Sequence, residues 1–188
     1  MGRTKRISDA AALERALDVM LRTGPAAFTL AAAGAAAGLA PATLMLRFGD
    51  KQSLILKALA ADDDRFVRLL EAAPKACGRD AVLDLFWLLT PDVEAPTALA
   101  EHLSWLTEGF RNPALNTLAQ TRSRRLIAAL VERLPPLRVP ADLGARLIEA
   151  QWRGAMTQWG VSPNGALADH VAQSLNDWLD LAEAPGAS

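Results

Sequence analysis

The chain has 188 residues, 51% of them hydrophobic, enough for one large domain or a small head on a larger body and too apolar for bulk disorder. A formal net charge of −1 gives no overall reason to expect a polyanion partner, and the single cysteine, Cys77, excludes an internal disulfide and fits a reducing cytosol. The charge is unevenly placed: residues 1–57 carry eight basic and four acidic groups, a net of +4, which leaves −5 for the remainder. A basic head on an acidic body is the asymmetry expected when one end meets a polyanion.

No secretory signal is read at the N-terminus, because Arg3, Thr4, Lys5 and Arg6 are not followed by an apolar run. From Thr23 to Leu46 there is no charged residue, a length that by itself suggests a membrane span. The segment is mostly alanine and is punctuated by Gly24-Pro25, Gly34, Gly38 and Pro41, so it reads as turns between short helices, and no membrane partner is expected.

Helix patterns dominate and strand patterns are nearly absent, which predicts an all-α protein of about nine helices. Leu13, Ala16, Leu17, Met20 and Leu21 form one apolar helical face, with Ser8 as its N-cap, Asp9 in its first turn and Gly24-Pro25 as its end. Thr29 caps a second helix over roughly 30–36, closed by Gly38. Pro41 opens a third over about 41–47, Phe48-Gly49 breaks it, and Asp50 caps a fourth that runs to about Ala73.

A fifth helix, about 80–90, is apolar nearly all round (Leu83, Leu85, Phe86, Trp87, Leu88, Leu89) and is expected to be central. A sixth runs from about Pro96 to Phe110, and Asn112 as N-cap with Pro113 at the first position opens a seventh to about Leu134. After the Pro135-Pro136 to Pro140 loop an eighth covers about 141–159, and Ser162-Pro163 opens a ninth to about Ala182. The expected organisation is a three-helix head at 1–58, a helical body at 59–183 and a disordered tail at 184–188.

The head carries a recognisable arrangement. Thr29, Ala37, Gly38, Leu39, Thr43, Leu44, Phe48, Lys51 and Leu54 stand in ungapped spacing. Over roughly residues 8–58 this resembles the helix-turn-helix head of TetR/AcrR-type transcriptional regulators; beyond residue 60 the resemblance rests on helix number and length. It implies a homodimeric regulator, most simply a cytoplasmic repressor, that binds a palindromic operator in double-stranded DNA and is released by a small-molecule effector. The third helix then lies in the major groove. Thr29, Pro41, Ala42, Thr43, Arg47 and Lys51 are the implied DNA contacts, with Arg3, Lys5 and Arg6 as a basic arm.

The likeness has departures. Ala31, Ala32 and Ala35 replace polar or charged residues common on helix two, Ala40 replaces a serine or threonine cap, and Met45 replaces a tyrosine. The reading surface is thus poor in hydrogen-bond donors, and Pro41 and Ala42 offer apolar contact, as to thymine methyl groups. The alternative this leaves open is a TetR-like helical dimer whose head is degenerate and which binds a small molecule or protein but not DNA.

For the body the resemblance implies an effector pocket, with Phe66, Trp87, His102, Trp105, Phe110 and Arg122 as candidate lining. Tryptophans of this kind are more often core than ligand wall. The dimer surface is expected on helices eight and nine, from Leu143, Leu147, Ala150 and Gly154 and from Leu167, Val171, Leu175, Trp178 and Ala182; the competing reading is that these stripes face the protomer's own core. Nothing asks for a metal, a cofactor or catalysis. His102 and His170, the two histidines, stand in no ligand spacing, no glycine-rich phosphate loop follows a strand, and Cys77 is most simply incidental.

Overall fold

Four local caps start the helices where the sequence places them. Ser8 Oγ accepts from Ala11 N (3.2 Å), Thr29 Oγ1 from Ala32 N (3.1 Å), Asp50 Oδ1 from Ser53 N (2.7 Å) and Asn112 Oδ1 from Ala114 N (3.1 Å). The computed structural model describes residues 7–184 and, among these, nine helices: α1 Asp9–Ala27, α2 Leu30–Ala37, α3 Pro41–Phe48, α4 Lys51–Ala72, α5 Arg79–Leu89, α6 Pro96–Gly109, α7 Pro113–Val131, α8 Ala141–Val161 and α9 Leu167–Ala182. The fold is all-α; the only β pairing among the described residues is an isolated bridge between Leu137 and Glu183.

Three details differ from expectation. Gly24 does not end α1 but kinks it at φ +67°, and another turn follows through Pro25. The last helix begins at Leu167 rather than after Ser162, because the chain turns at Gly165 (φ +69°). Helix α5 is not central all round. It buries Ala81, Val82, Leu85 and Phe86, whereas Trp87 and Leu88 are exposed on its other side.

Contacts divide the described chain into two units. One joins the residues up to Phe66 to Glu101–Ala119; the other joins Val67–Ala100 to the residues from Gln120 onward. The first unit thus reaches beyond the expected 1–58 head, and the reason is burial. Trp105 and Leu115 pack into the same core as Ala16, Met20, Phe28, Leu44, Phe48 and Leu54. Trp105 meets Phe28 edge to face at 6.2 Å, and its indole N–H donates to Met20 O at 2.7 Å.

In the second unit α9 packs on α8 and α5. Its most unusual buried group is Arg133, 1% exposed. The guanidinium donates to Pro74 O (2.8 Å), Ala129 O (2.8 Å), Leu70 O (3.0 Å) and Ala73 O (3.1 Å). It satisfies the orphan carbonyls at the end of α4 and ties them to the end of α7. At the start of α5, Arg79 pairs with Asp180 (2.6 Å) and Glu183 (3.1 Å) near the end of α9; hydrogen bonds to Glu183 and then Asp180 raise its pKa further. Ala184, the first residue of the expected disordered tail, donates its N–H to Pro136 O at 3.0 Å; residues 185–188 lie outside the described residues.

Candidate nucleic-acid interface

Helix α2 stops at Gly38, which takes φ +65° and sends its N–H back to Ala35 O and Gly34 O. The chain then passes Leu39 and Ala40, and α3 departs with the pair bent by 96°. This is the crossing of a helix-turn-helix. Leu39 N donates to Gly34 O at 2.8 Å, and a Cβ on Gly34 would lie 2.6 Å from Leu39 O. The glycine inside α2 is therefore what lets the turn fold so tightly.

Helix α3 has two faces. Leu44 and Phe48 are buried against the core. Ala42, Met45 and Leu46, at i, i+3 and i+4, point away from it. Leu46 is 88% exposed and Met45 50%. Pro41 is exposed and Thr43 half-buried, and Ala40 supplies no side-chain cap.

Arg47 departs most from its expected role as a DNA contact. Its side chain is only 16% exposed and is paired with Asp9. Arg47 Nε donates to Asp9 Oδ1 at 2.7 Å, Nη2 donates to the same oxygen and to Ile7 O (3.1 Å), and the guanidinium stands 5.3 Å from the Phe48 ring centroid. The arrangement ties α3 to the start of α1, so Arg47 is not a free phosphate ligand. Thr29 is exposed and accepts the cap bond, which leaves its hydroxyl proton to donate. Lys51 is exposed with Nζ 5.7 Å from the Phe28 ring centroid. Lys57, absent from the expected contacts, donates to Phe48 O at 3.0 Å and sets an ammonium at the end of α3. Arg3, Lys5 and Arg6 lie outside the described residues.

Leu46 and Met45 also escaped the expected contacts. An apolar residue in a short helix is read first as core; the available signal was the spacing of both from Ala42, opposite Leu44 and Phe48. Asp50, which opens α4 beside this surface, has its pKa lowered by the backbone and then the side-chain hydrogen bond from Ser53.

The six expected effector residues are not gathered within either unit. In the first, Phe66 and Trp105 are buried, His102 is half-buried and Phe110 is 73% exposed. In the second, Trp87 is 58% exposed and Arg122 half-buried. The first unit also holds a groove of about 410 Å³, lined by Pro25, Asp50, Lys51, Gln52, Ile55, Trp105, Glu108 and Leu115, to which only Trp105 of the six contributes. The second contains an unforeseen buried carboxylate: Glu149 accepts from Ser123 Oγ (2.9 Å) and Arg153 Nη2 (2.7 Å).

The expected dimer residues divide by helix. Leu143, Leu147 and Gly154 on α8 are exposed, and a Cβ on Gly154 would meet nothing within 4 Å. Leu167, Val171 and Leu175 on α9 are buried within the protomer, so that stripe faces the chain's own core, and Trp178 is half-buried at its margin. No single helix among the described residues is long and apolar enough to cross a membrane.

The sequence matches no protein-family model and no curated protein. Solved structures match it closely in shape. A transcriptional regulator of Rhodococcus sp. Rha1 has 18% identity and a TM-score of 0.72, with 94% of this chain and 99% of that one covered. A protein of Saccharomonospora viridis solved with choline has 21% identity and a TM-score of 0.70, covering 93% and 97%. A TetR-family member of Streptomyces coelicolor has 18% identity and a TM-score of 0.67, covering 90% and 98%. At these identities the likeness is one of fold: nearly the whole chain is built on the architecture of the TetR-type regulators.

Proposed function

We propose that this chain is a ligand-responsive transcriptional regulator, a repressor that binds a palindromic operator as a homodimer and leaves it when a small molecule binds. Residues 1–58 are the DNA-binding part and 59–183 the ligand-binding and dimerising part. One observation carries the reading: α2 and α3 cross at 96° and leave the Ala42, Met45 and Leu46 face of α3 uncovered, as a recognition helix must be. Two such helices related by a two-fold axis would enter successive major grooves, which is why the operator is expected to be palindromic. Choline in the S. viridis neighbour supports a small organic molecule as the effector class. Effector and operator are then coupled sites, each weakening the protein's hold on the other. The protein acts in the cytoplasm by binding, without chemistry of its own.

A head that has kept its fold and lost DNA is favoured by one specific feature, the commitment of Arg47 to Asp9 on a helix otherwise poor in donors. Selection of duplexes from a random pool by the full chain, followed by titration in salt, separates the two readings. A regulator enriches a two-fold sequence and loses affinity with a log–log slope of about −0.9 per phosphate contacted. A degenerate head enriches none.

A further inference from the structure

We infer that the outward face of α3 reads its operator through the C5-methyl groups of thymine, with Leu46 and Met45 as the specificity-determining side chains and Ala42 beside them. The inference rests on the DNA-binding reading proposed above and names what that surface recognises.

The chemistry follows from which side chains face outward. Three exposed residues at i, i+3 and i+4, Ala42, Met45 and Leu46, have no nitrogen or oxygen beyond the backbone. The guanidinium on the same helix, Arg47, is spent on Asp9 and Ile7 O. The bidentate pairing of arginine with guanine is therefore not available from α3, nor is that of asparagine or glutamine with adenine. Any base pair pressed against this face leaves its groove acceptors and donor desolvated and unpaired, which is costly, so the pair that is favoured must offer something apolar in return. A thymine offers the one apolar group in the major groove, and a leucine and a methionine bury a methyl well. Thymine-bearing steps are thus the only ones that repay the contact.

Charge says why the occupant is a duplex rather than another apolar surface. The patch is small and two cations stand at one end of its helix: the Lys57 ammonium sits 3.0 Å from Phe48 O at the end of α3, and exposed Lys51 follows three residues after Phe48. Residues 1–57 as a whole carry eight basic groups against four acidic. An apolar helix face with cations at its end, on a net basic head, suits methyl groups recessed between two phosphate strands.

The test is made on the full chain with the sequence it enriches from random duplexes. Each thymine of a half-site is replaced in turn by uracil, which removes the methyl group and keeps every hydrogen-bonding atom. Two or three positions per half-site should each lose about fourfold in affinity, the weight of one buried methyl. Leu46→Ala, at a site that packs on nothing in the protomer, should weaken binding to the thymine duplex and remove most of the difference between thymine and uracil. Equal affinity for the thymine and uracil versions of an enriched site overturns the inference and leaves the regulator reading standing. Failure to enrich any duplex, or binding of the chain to lipid vesicles in place of DNA, overturns both.

Discussion

Arg47 and Asp9 are 38 positions apart in the chain, yet one carboxylate oxygen of Asp9 receives both Nε and Nη2 of Arg47. The pair joins the last turn of α3 to the first turn of α1, and Arg47 Nη2 adds a bond to Ile7 O. What looks in the sequence like a phosphate ligand is, in the fold, a link between α3 and the start of α1.

The link makes an opposite prediction from a phosphate contact. If Arg47 positions α3, Asp9→Asn weakens operator binding, because the helix loses its anchor. If Arg47 contacts DNA, Asp9→Asn frees it and binding strengthens. We expect weakening of several fold in a fluorescence-anisotropy titration. Chemical denaturation of Asp9→Asn should show a loss of about 1 kcal/mol, modest because Asp9 is 69% exposed.

Gly34 and Gly38 should respond in different ways to alanine. In an ordinary helix interior, glycine to alanine stabilises by up to about 1 kcal/mol. At Gly34 the added Cβ would stand 2.6 Å from the backbone oxygen of Leu39, so the turn must open. Gly34→Ala is expected to cost about 1–3 kcal/mol and to abolish operator binding by moving α3. At Gly38 a Cβ meets nothing within 4 Å, and only the left-handed φ of +65° is unfavourable. Gly38→Ala should therefore cost about 1–2 kcal/mol and keep most DNA affinity. Thermal melts and anisotropy on the two variants check the order.

What was legible in the sequence is what local chemistry decides. Ser8, Thr29, Asp50 and Asn112 were read as caps and are caps, because a cap bond spans two or three residues. The crossing of α2 and α3 was legible through Gly38. Orientation was not. A stripe such as Leu167, Val171 and Leu175 shows that a helix has an apolar face but not what covers it, and the fold gives that face to the protomer's own core. Trp87 and Leu88, by contrast, looked central and are exposed. Pairings across long separations, Arg47 with Asp9 or Arg133 with Pro74, leave no periodic trace at all.

Arg133 should be the costliest single polar residue in the second unit. Arg133→Met keeps much of the side-chain volume but strips four carbonyls of their donor, three of them in the last turn of α4 and just beyond it. A loss of about 3–5 kcal/mol in urea unfolding is expected, since buried acceptors left unpaired are penalised in full. Arg133→Lys should recover only part of it, because one ammonium has three donors and no planar fork. Equal stability of Met and wild type would mean that water reaches the α4 terminus.

Asp50 gives the head a dependence on acid. Its folded pKa is lowered by the Ser53 bonds, so its contribution is fully present above the usual aspartate range and is lost as pH falls through the lowered value. Stability measured from pH 5 down to pH 2 should fall less steeply for Asp50→Asn, which keeps a cap acceptor without a titrating charge. Identical slopes would place the acid sensitivity elsewhere.

The division of α8 from α9 leads to a test of the dimer. Leu143, Leu147 and Gly154 are open to solvent on α8, whereas Leu175 on α9 is wholly buried. Leu147→Glu should put a charge into the proposed interface and leave the protomer folded. Light scattering should then report a species near 20.1 kDa, with helical circular dichroism unchanged. Leu175→Ala should instead open a cavity in the protomer, cost about 2–5 kcal/mol and lower the melting point. Any dissociation it shows should follow unfolding rather than precede it. A Leu147→Glu protein that remains twice that mass would move the interface off α8. The exposed Leu181 and half-buried Trp178 of α9 would then be the next apolar surface to carry it.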